Sequence, residues 1–386
     1  MAKASILKKV MNANVFSLLV IAKFAGLFLW GVLGFSELDY FGQYSLCVGL
    51  VNVFYVVAGM RGRIFVLQSI KSLGDYRNFV LLMFIFGIIG TILIAFLNSG
   101  SDLFGLIILV AVSKFAGMFL LSNASSVQNQ YSRDMSFSGL NRHGWLVVIG
   151  FFAFLPFGLH YAIGAEVVVL IYTLTRQGIL IQRGNYEEHQ ERGIKAILFN
   201  GMEFTATAGL NAALVSFFIY YVSSQFAQED VYLIAKIFSV QAVAVRIISG
   251  NNIYFMREID DKLNGILFRL MLSAFVVWAF VSIFVFMQLD NWDHMTLLLI
   301  IGAGYSLMNC ASTMIIQHVL LKHGPRRIGY LHAVELSILL LVCLNVAMSA
   351  VVAMYVFGCL RLLRTIAMSQ RWFLTDVGVR RSKDIL

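Results

Sequence analysis

The sequence predicts an all-α polytopic membrane protein with about twelve transmembrane helices arranged as two six-helix lobes. Composition, the spacing of uncharged runs and the sidedness of the charges carry that expectation. The chain has 386 residues, of which 60% are hydrophobic and 13% charged, and its mean hydropathy is +0.82. A soluble domain is about a quarter charged. A globule of this composition cannot cover its own surface with polar groups. Two prolines, 31 glycines and 33 phenylalanines suit long, closely packed membrane helices.

The stretch 35–63 sets the pattern for the rest. It opens on Glu37 and Asp39 and closes on Arg61 and Arg63. Between them lie about twenty residues without charge, enough for one bilayer crossing. The same pattern along the chain places spans at 12–35, 38–60, 79–98, 102–122, 144–162, 164–182, 196–222, 230–252, 264–287, 294–320, 328–346 and 348–370. The fifth and sixth spans meet in a hairpin at 160–164, and the last two split near Ala347. Lys3, Lys8 and Lys9 precede an apolar run that is too long for a signal-peptide core, so a retained first helix is expected.

Cations stay on the cytoplasmic side of a membrane protein. With the N-terminus inside, the inner segments hold Lys3, Lys8, Lys9, Arg61, Arg63, Lys71, Arg77, Arg133, Arg142, Arg183, Arg192, Lys195, Arg257, Lys262, Lys322, Arg326, Arg327, Arg371, Arg380, Arg381 and Lys383. The outer turns, 36–38, 98–102, 160–164, 223–230, 288–294 and the one near Ala347, contain no Lys or Arg. Several carry Asp or Glu instead. Twelve spans then leave both termini in the cytoplasm. The same sidedness accounts for the net charge of +9, so no nucleic-acid partner is expected; the partner is the lipid bilayer.

The polar segment 183–195 follows the sixth span near the midpoint and divides the chain into lobes 1–185 and 186–386. A faint internal echo supports the division: Glu37-Leu38-Asp39-Tyr40-Phe41 opens the second span, and Gln228-Glu229-Asp230-Val231-Tyr232 opens the eighth. Repeated lobes of this kind recur in transporters, with the substrate site at the repeat interface.

Charge within the hydrocarbon costs about 2.5–3.5 kcal/mol per Lys or Arg on insertion scales, so intramembrane charge is where function is sought. Lys23 and Lys114 fall near the middle of the first and fourth spans; Lys236 and Arg246 lie in the eighth. These four form a candidate anionic-substrate site, since low-dielectric walls strengthen attraction to an anion. Lys is suited to phosphate as a point charge and Arg as a bidentate fork. Glu203 and Glu335 are candidate ion-coupling acids, although Arg246 and Glu203 also read as a structural lock. Glu166 reads as a solvated residue at the outer end of the sixth span, and Arg176 as reaching the inner headgroups. Tyr44, Asn52, Tyr172, Tyr220 and Tyr305 are candidate sugar-facing residues, with ordinary packing as the plainer reading.

Other chemistry finds no support. There is no G-x-x-x-x-G-K-[ST] for a nucleoside triphosphate and no H-E-x-x-H. Seven histidines show no metal spacing, and Cys47, Cys310, Cys343 and Cys359 form no C-x-x-C. No cofactor, metal or enzymatic activity is expected. An outer loop large enough for a catalytic site is missing; Asp290, Asp293 and His294 sit in a very short turn.

The run E-L-D-Y-F-G-Q-Y-S-L at 37–46, followed by an apolar span and G-M-R-G-R at 59–63, resembles the second helix of Wzx-type oligosaccharide-lipid flippases. These belong to the MOP superfamily with the MATE exporters and lipid II flippases. The likeness rests on the acidic turn followed by aromatic-Gly-x-Tyr, here Phe41, Gly42 and Tyr44, and on the plan of twelve spans in two lobes. It implies a V-shaped pair of lobes working by alternating access. It also implies a cationic cavity and an undecaprenyl-diphosphate-linked oligosaccharide as substrate, flipped to the periplasmic leaflet for O-antigen or exopolysaccharide synthesis, with a glycan polymerase as a possible partner. A MATE-like cation-coupled small-molecule exporter is the alternative; it would want acids dominating the cavity. The chain departs from its relatives in having only Pro156 and Pro325. Gly26, Gly31 and Gly34 in the first span and Gly201 and Gly209 in the seventh would serve as its bending points.

Overall fold

A computed structural model of the chain describes residues 22–33, 39–58, 72–130, 137–182, 193–255, 272–273, 275–284, 287, 292–323 and 326–369. Arg61, Arg63 and the polar midpoint 183–192 lie outside them. Among the described residues there is no strand, and the long helical segments number twelve. They are α1 (Ala22–Val32), α2 (Tyr40–Ala58), α3 (Leu73–Leu97), α4 (Phe104–Gln130), α5 (Phe137–Phe154), α6 (Leu159–Gln182), α7 (Ile194–Gln225), α8 (Gln228–Phe255), α9 (Phe275–Phe284), α10 (His294–His323), α11 (Arg326–Asn345) and α12 (Ala350–Ser369).

Five of these are long and apolar enough to cross a membrane over their described length: α2, α3, α7, α11 and α12. The clearest is α3, where the window Gly74–Leu97 has a mean hydropathy of 2.9. Ser72 starts the helix; its hydroxyl accepts from the Asp75 backbone N–H at 3.0 Å, satisfying one of the unpaired donors of the first turn. Leu81, Phe84, Ile85, Ile88, Ile92 and Phe96 follow at helical spacing and are all exposed. A contiguous apolar face of that length needs lipid against it. The opposite face is buried: Tyr76, Phe79, Leu82 and Met83 pack with Ile197 of α7 and with Phe115 and Phe119 of α4. At 32 residues, α7 is about 48 Å long and outruns a hydrocarbon core of about 30 Å.

The chain groups into two compact units, Met1–Tyr220 and Tyr221–Leu386. In the first, α4 and α5 both pack on α6, and α2 packs on α3 and α4. The first part of α7 joins this unit against α2: the Ser216 hydroxyl donates to the Gly49 carbonyl at 2.9 Å and accepts from the Val53 N–H at 3.3 Å. In the second unit α10 is the centre, packed on α8, α11 and α12. Small residues let these backbones approach closely. Gly26 of α1 lies against the Phe152 ring of α5, and Gly358 of α12 against the Trp278 indole of α9; a Cβ at either would overlap the ring.

The reversal between the fifth and sixth helices lies at 155–158, not at the expected 160–164. Pro156 occupies the start of a short 3₁₀ turn, Leu155–Phe157, and Gly158 takes φ +123°. Proline suits a first helical turn because its missing N–H has no partner there anyway. Gly158 adopts a backbone that a side chain disfavours. His160 to Gly164 are therefore helical. The expected break between the last two spans falls at 346–349, between α11 and α12.

Candidate functional site

Among the described residues each unit buries a cluster of charge. In the first, Lys23 of α1 is 6% exposed and pairs with Glu166 of α6, itself 9% exposed. The Lys23 ammonium also donates to the Tyr44 hydroxyl of α2 at 2.9 Å. It lies 4.4 Å from the centroid of the Tyr44 ring and 4.3 Å from that of Phe151 on α5. A desolvated ammonium over an aromatic face gains about 2 kcal/mol. Lys114 of α4, half-buried, reaches the same Tyr44 ring at 5.7 Å. Phe24 and Phe151 pack edge-on or tilted against Tyr44 and hold it in place. Five helices thus meet around one tyrosine.

Glu166 belongs to this cluster because of where the hairpin falls. From Leu159 it is seven residues into α6, about 10 Å along the helix. With a turn at 160–164 it would stand at a helix end, which is why the sequence places it in solvent. The structure instead buries it against Lys23.

In the second unit Glu335 of α11 meets two arginines of α12. Arg361 Nε is 3.1 Å from one carboxylate oxygen, too oblique for a hydrogen bond, and Arg364 Nη1 donates to the other at 3.4 Å. The His332 imidazole, one turn before Glu335, brings Nδ1 within 3.4 Å of that second oxygen. Arg364 Nη2 also donates to the Ser312 hydroxyl at 2.9 Å and to the Asn309 carbonyl oxygen at 3.3 Å, both on α10. None of Glu335, Arg361, Arg364 or His332 exceeds 4% exposure. The Arg361 guanidinium lies 5.1 Å from the Phe357 ring centroid, and Phe357, Tyr305 and Phe238 form an aromatic triangle beside it. Among the described residues the His332 Nε2 has no hydrogen-bond partner. Chemically this is a three-helix clamp closed on a carboxylate.

The other expected site residues are spread out. Lys236 is half-buried on α8, and Arg246 lies further along that helix with its side chain outside the described residues. Glu203 is half-buried near the start of α7, just before the apolar window Thr205–Gln225. Asn52 is half-buried on α2. Tyr172 is exposed on α6, and Tyr220 is exposed with its hydroxyl donating to Asn98 at 3.4 Å. Tyr305 is fully buried in the aromatic triangle. Arg361, Arg364 and Asn309 are missing from the sequence reading altogether, and His332 enters it only as one of seven histidines without metal spacing. The pair R-L-L-R at 361–364 inside an apolar run is the available signal, because i and i+3 share a helix face. A lone Glu335 in an apolar span also calls for a cationic partner.

No protein-family model and no curated protein sequence matches the chain. Solved structures do match, over nearly the whole length of both chains. A multidrug resistance MATE family transporter of the MOP superfamily, in its inward-facing conformation, aligns at TM-score 0.55 and 12% identity over 95% of this chain and 93% of that one. The MATE multidrug transporter DinF-BH aligns at TM-score 0.57 and 9% identity, covering 97% and 96%. A MOP superfamily transporter from Pyrococcus furiosus, described by a reversed polarity of its binding pocket that suggests a different function, aligns at TM-score 0.54 and 12% identity, covering 96% and 94%. The chain therefore shares the fold of these three transporters.

Proposed function

We propose that this chain is a flippase of a bacterial inner membrane. Its substrate is a polyprenyl-diphosphate-linked oligosaccharide, moved from the cytoplasmic to the periplasmic leaflet by alternating access for surface polysaccharide synthesis. The observation that carries this reading is the sign of the charge held away from the helix ends. Lys23, Lys114, Lys236, Arg246, Arg361 and Arg364 stand against Glu166, Glu203 and Glu335. Such an excess favours an anionic cargo, because low-dielectric surroundings magnify the attraction. Lys23 and Lys114 are the diphosphate contacts of the first unit, and Lys236 and Arg246 are the candidates of the second. Asn52, Tyr172 and Tyr220 remain the candidate sugar contacts, whereas Tyr44 is buried against Lys23 and Tyr305 in the aromatic triangle. Glu203 and Glu335 are the candidates for coupling to an ion gradient. Both termini lie in the cytoplasm, and a periplasmic glycan polymerase is the natural consumer of the product.

The test is complementation of a deletion strain. Replacing Lys23 and Lys114 together with alanine is expected to abolish surface glycan while lipid-linked precursor accumulates. Normal glycan at equal protein level overturns the assignment. A second reading, cation-coupled export of small molecules, is favoured by the MATE multidrug transporters among the structural neighbours. It gains the upper hand if the chain confers drug resistance that depends on Glu203 or Glu335. The Pyrococcus furiosus structure, with its reversed pocket polarity, supports keeping pocket charge rather than fold as the criterion.

A further inference from the structure

The Lys23 ammonium has three N–H donors. One meets Glu166, one the Tyr44 hydroxyl, and the group as a whole lies between the Tyr44 and Phe151 rings. With Lys23 6% exposed, no external anion reaches it while the Glu166 carboxylate is in place. Here a second ammonium, Lys114, approaches the same tyrosine from another helix and is only half-buried. If the carboxylate withdraws, two ammoniums remain beside the Tyr44 side chain, one of them on its hydroxyl.

We propose that Glu166 is an internal stand-in for the anionic group of the cargo. It occupies Lys23 in the unloaded protein, and an incoming phosphate or diphosphate displaces it to bind Lys23, Lys114 and the Tyr44 hydroxyl. The proposal rests on the anionic-substrate reading above. A carboxylate and a phosphate make the same charge-assisted bonds to ammonium and hydroxyl donors. A diphosphate carries more negative charge than one carboxylate and offers more acceptor oxygens, which gives the exchange its direction. The freed Glu166 no longer ties α6 to α1, so loading releases a contact between two helices. Glu166 thereby acts as a specificity-determining residue: an uncharged or cationic amphiphile cannot offset the loss of the ion pair.

The test is titration calorimetry of the full chain in nanodiscs with farnesyl diphosphate and with inorganic pyrophosphate. Glu166→Gln keeps the size of the side chain and removes the competing charge. It is expected to bind farnesyl diphosphate roughly tenfold tighter than the native chain, within the usual range of coupling between two competing ligands. Lys23→Gln is expected to bind weakly, and adding Glu166→Gln to it is expected to change nothing. Tightening by both probes identifies the anion as the ligand; tightening by farnesyl diphosphate alone identifies a lipid headgroup. Should Glu166→Gln fail to accumulate, Glu166→Asp, one methylene shorter, is expected to give an intermediate tightening. Unchanged affinity in the Glu166 variants, or tightening that survives in the Lys23→Gln background, overturns the displacement while leaving anion transport standing. A native chain and variants that all bind neither probe overturn both.

Discussion

Glu335 holds Arg361 and Arg364 where water does not reach, so removing its charge strands two buried guanidiniums. Breaking a buried pair by deleting one partner costs about 3–5 kcal/mol. Glu335→Gln is therefore expected to lower thermal stability in detergent sharply, and Glu335→Asp to do so less. Thermal unfolding monitored by circular dichroism checks it; an unshifted transition in Glu335→Gln rejects the clamp. Tyr44→Phe is a milder case. It keeps the ring under Lys23 but removes the hydroxyl that accepts from it, and a hydrogen bond to a charged group is worth about 1.5–3 kcal/mol. Single residues also mark the limit of what sequence reveals. The cost of burying Lys23, Lys114 and Glu335 is readable from their apolar neighbours in the chain. Their partners are not: Glu166 is 143 positions from Lys23, and Arg361 and Arg364 belong to a different helix from Glu335. Such pairs are chosen by helix packing, which local composition does not encode.

At the scale of the element, hydropathy suffices wherever a span is long and its ends are polar, as for α3, α11 and α12. It fails where the reversal is itself apolar. The run Leu155-Pro156-Phe157-Gly158 carries no polar residue, and its turn depends on proline geometry and a glycine at φ +123°. That shift of a few residues decides whether Glu166 reads as a surface group or a buried one. The backbone at Gly158 costs a side chain on the order of 1–3 kcal/mol, so Gly158→Val is expected to destabilise the α5–α6 hairpin by that amount. Reduced accumulation and a lowered unfolding temperature are the readouts, and wild-type stability would contradict the turn. The apolar stripe of α3 makes a separate prediction. Ile88→Lys places a charge in the middle of a lipid-facing surface, at about 2.5–3.5 kcal/mol on insertion scales. Insertion of α3 measured by glycosylation mapping is expected to fall, whereas the same change at the helix start is expected to be tolerated.

For the whole molecule, twelve helices and the sidedness of charge make one joint claim: turns must alternate between the two faces of the membrane. Four positions exposed in the structure test it directly: Ser99, Lys195, Ser224 and Ser349. Ser99 follows α3, Ser224 ends α7 and Ser349 precedes α12, each an even number of crossings from the others. Lys195 starts α7 and lies one crossing away from Ser224. After Cys47, Cys310, Cys343 and Cys359 are replaced, a single cysteine at Ser99, Ser224 or Ser349 is expected to react with an impermeant maleimide on intact cells. One at Lys195 is expected to react only after permeabilisation. A topology of this kind is unforgiving, because a missed or invented crossing reverses every position beyond it. Labelling at Ser349 opposite to that at Ser224 would mean an odd number of crossings between 224 and 349, and the second unit would then carry its charged residues the other way up. Agreement of all four fixes the side of the membrane that each end of α1 and α4 faces, and with it the direction in which the spans carrying Lys23 and Lys114 run.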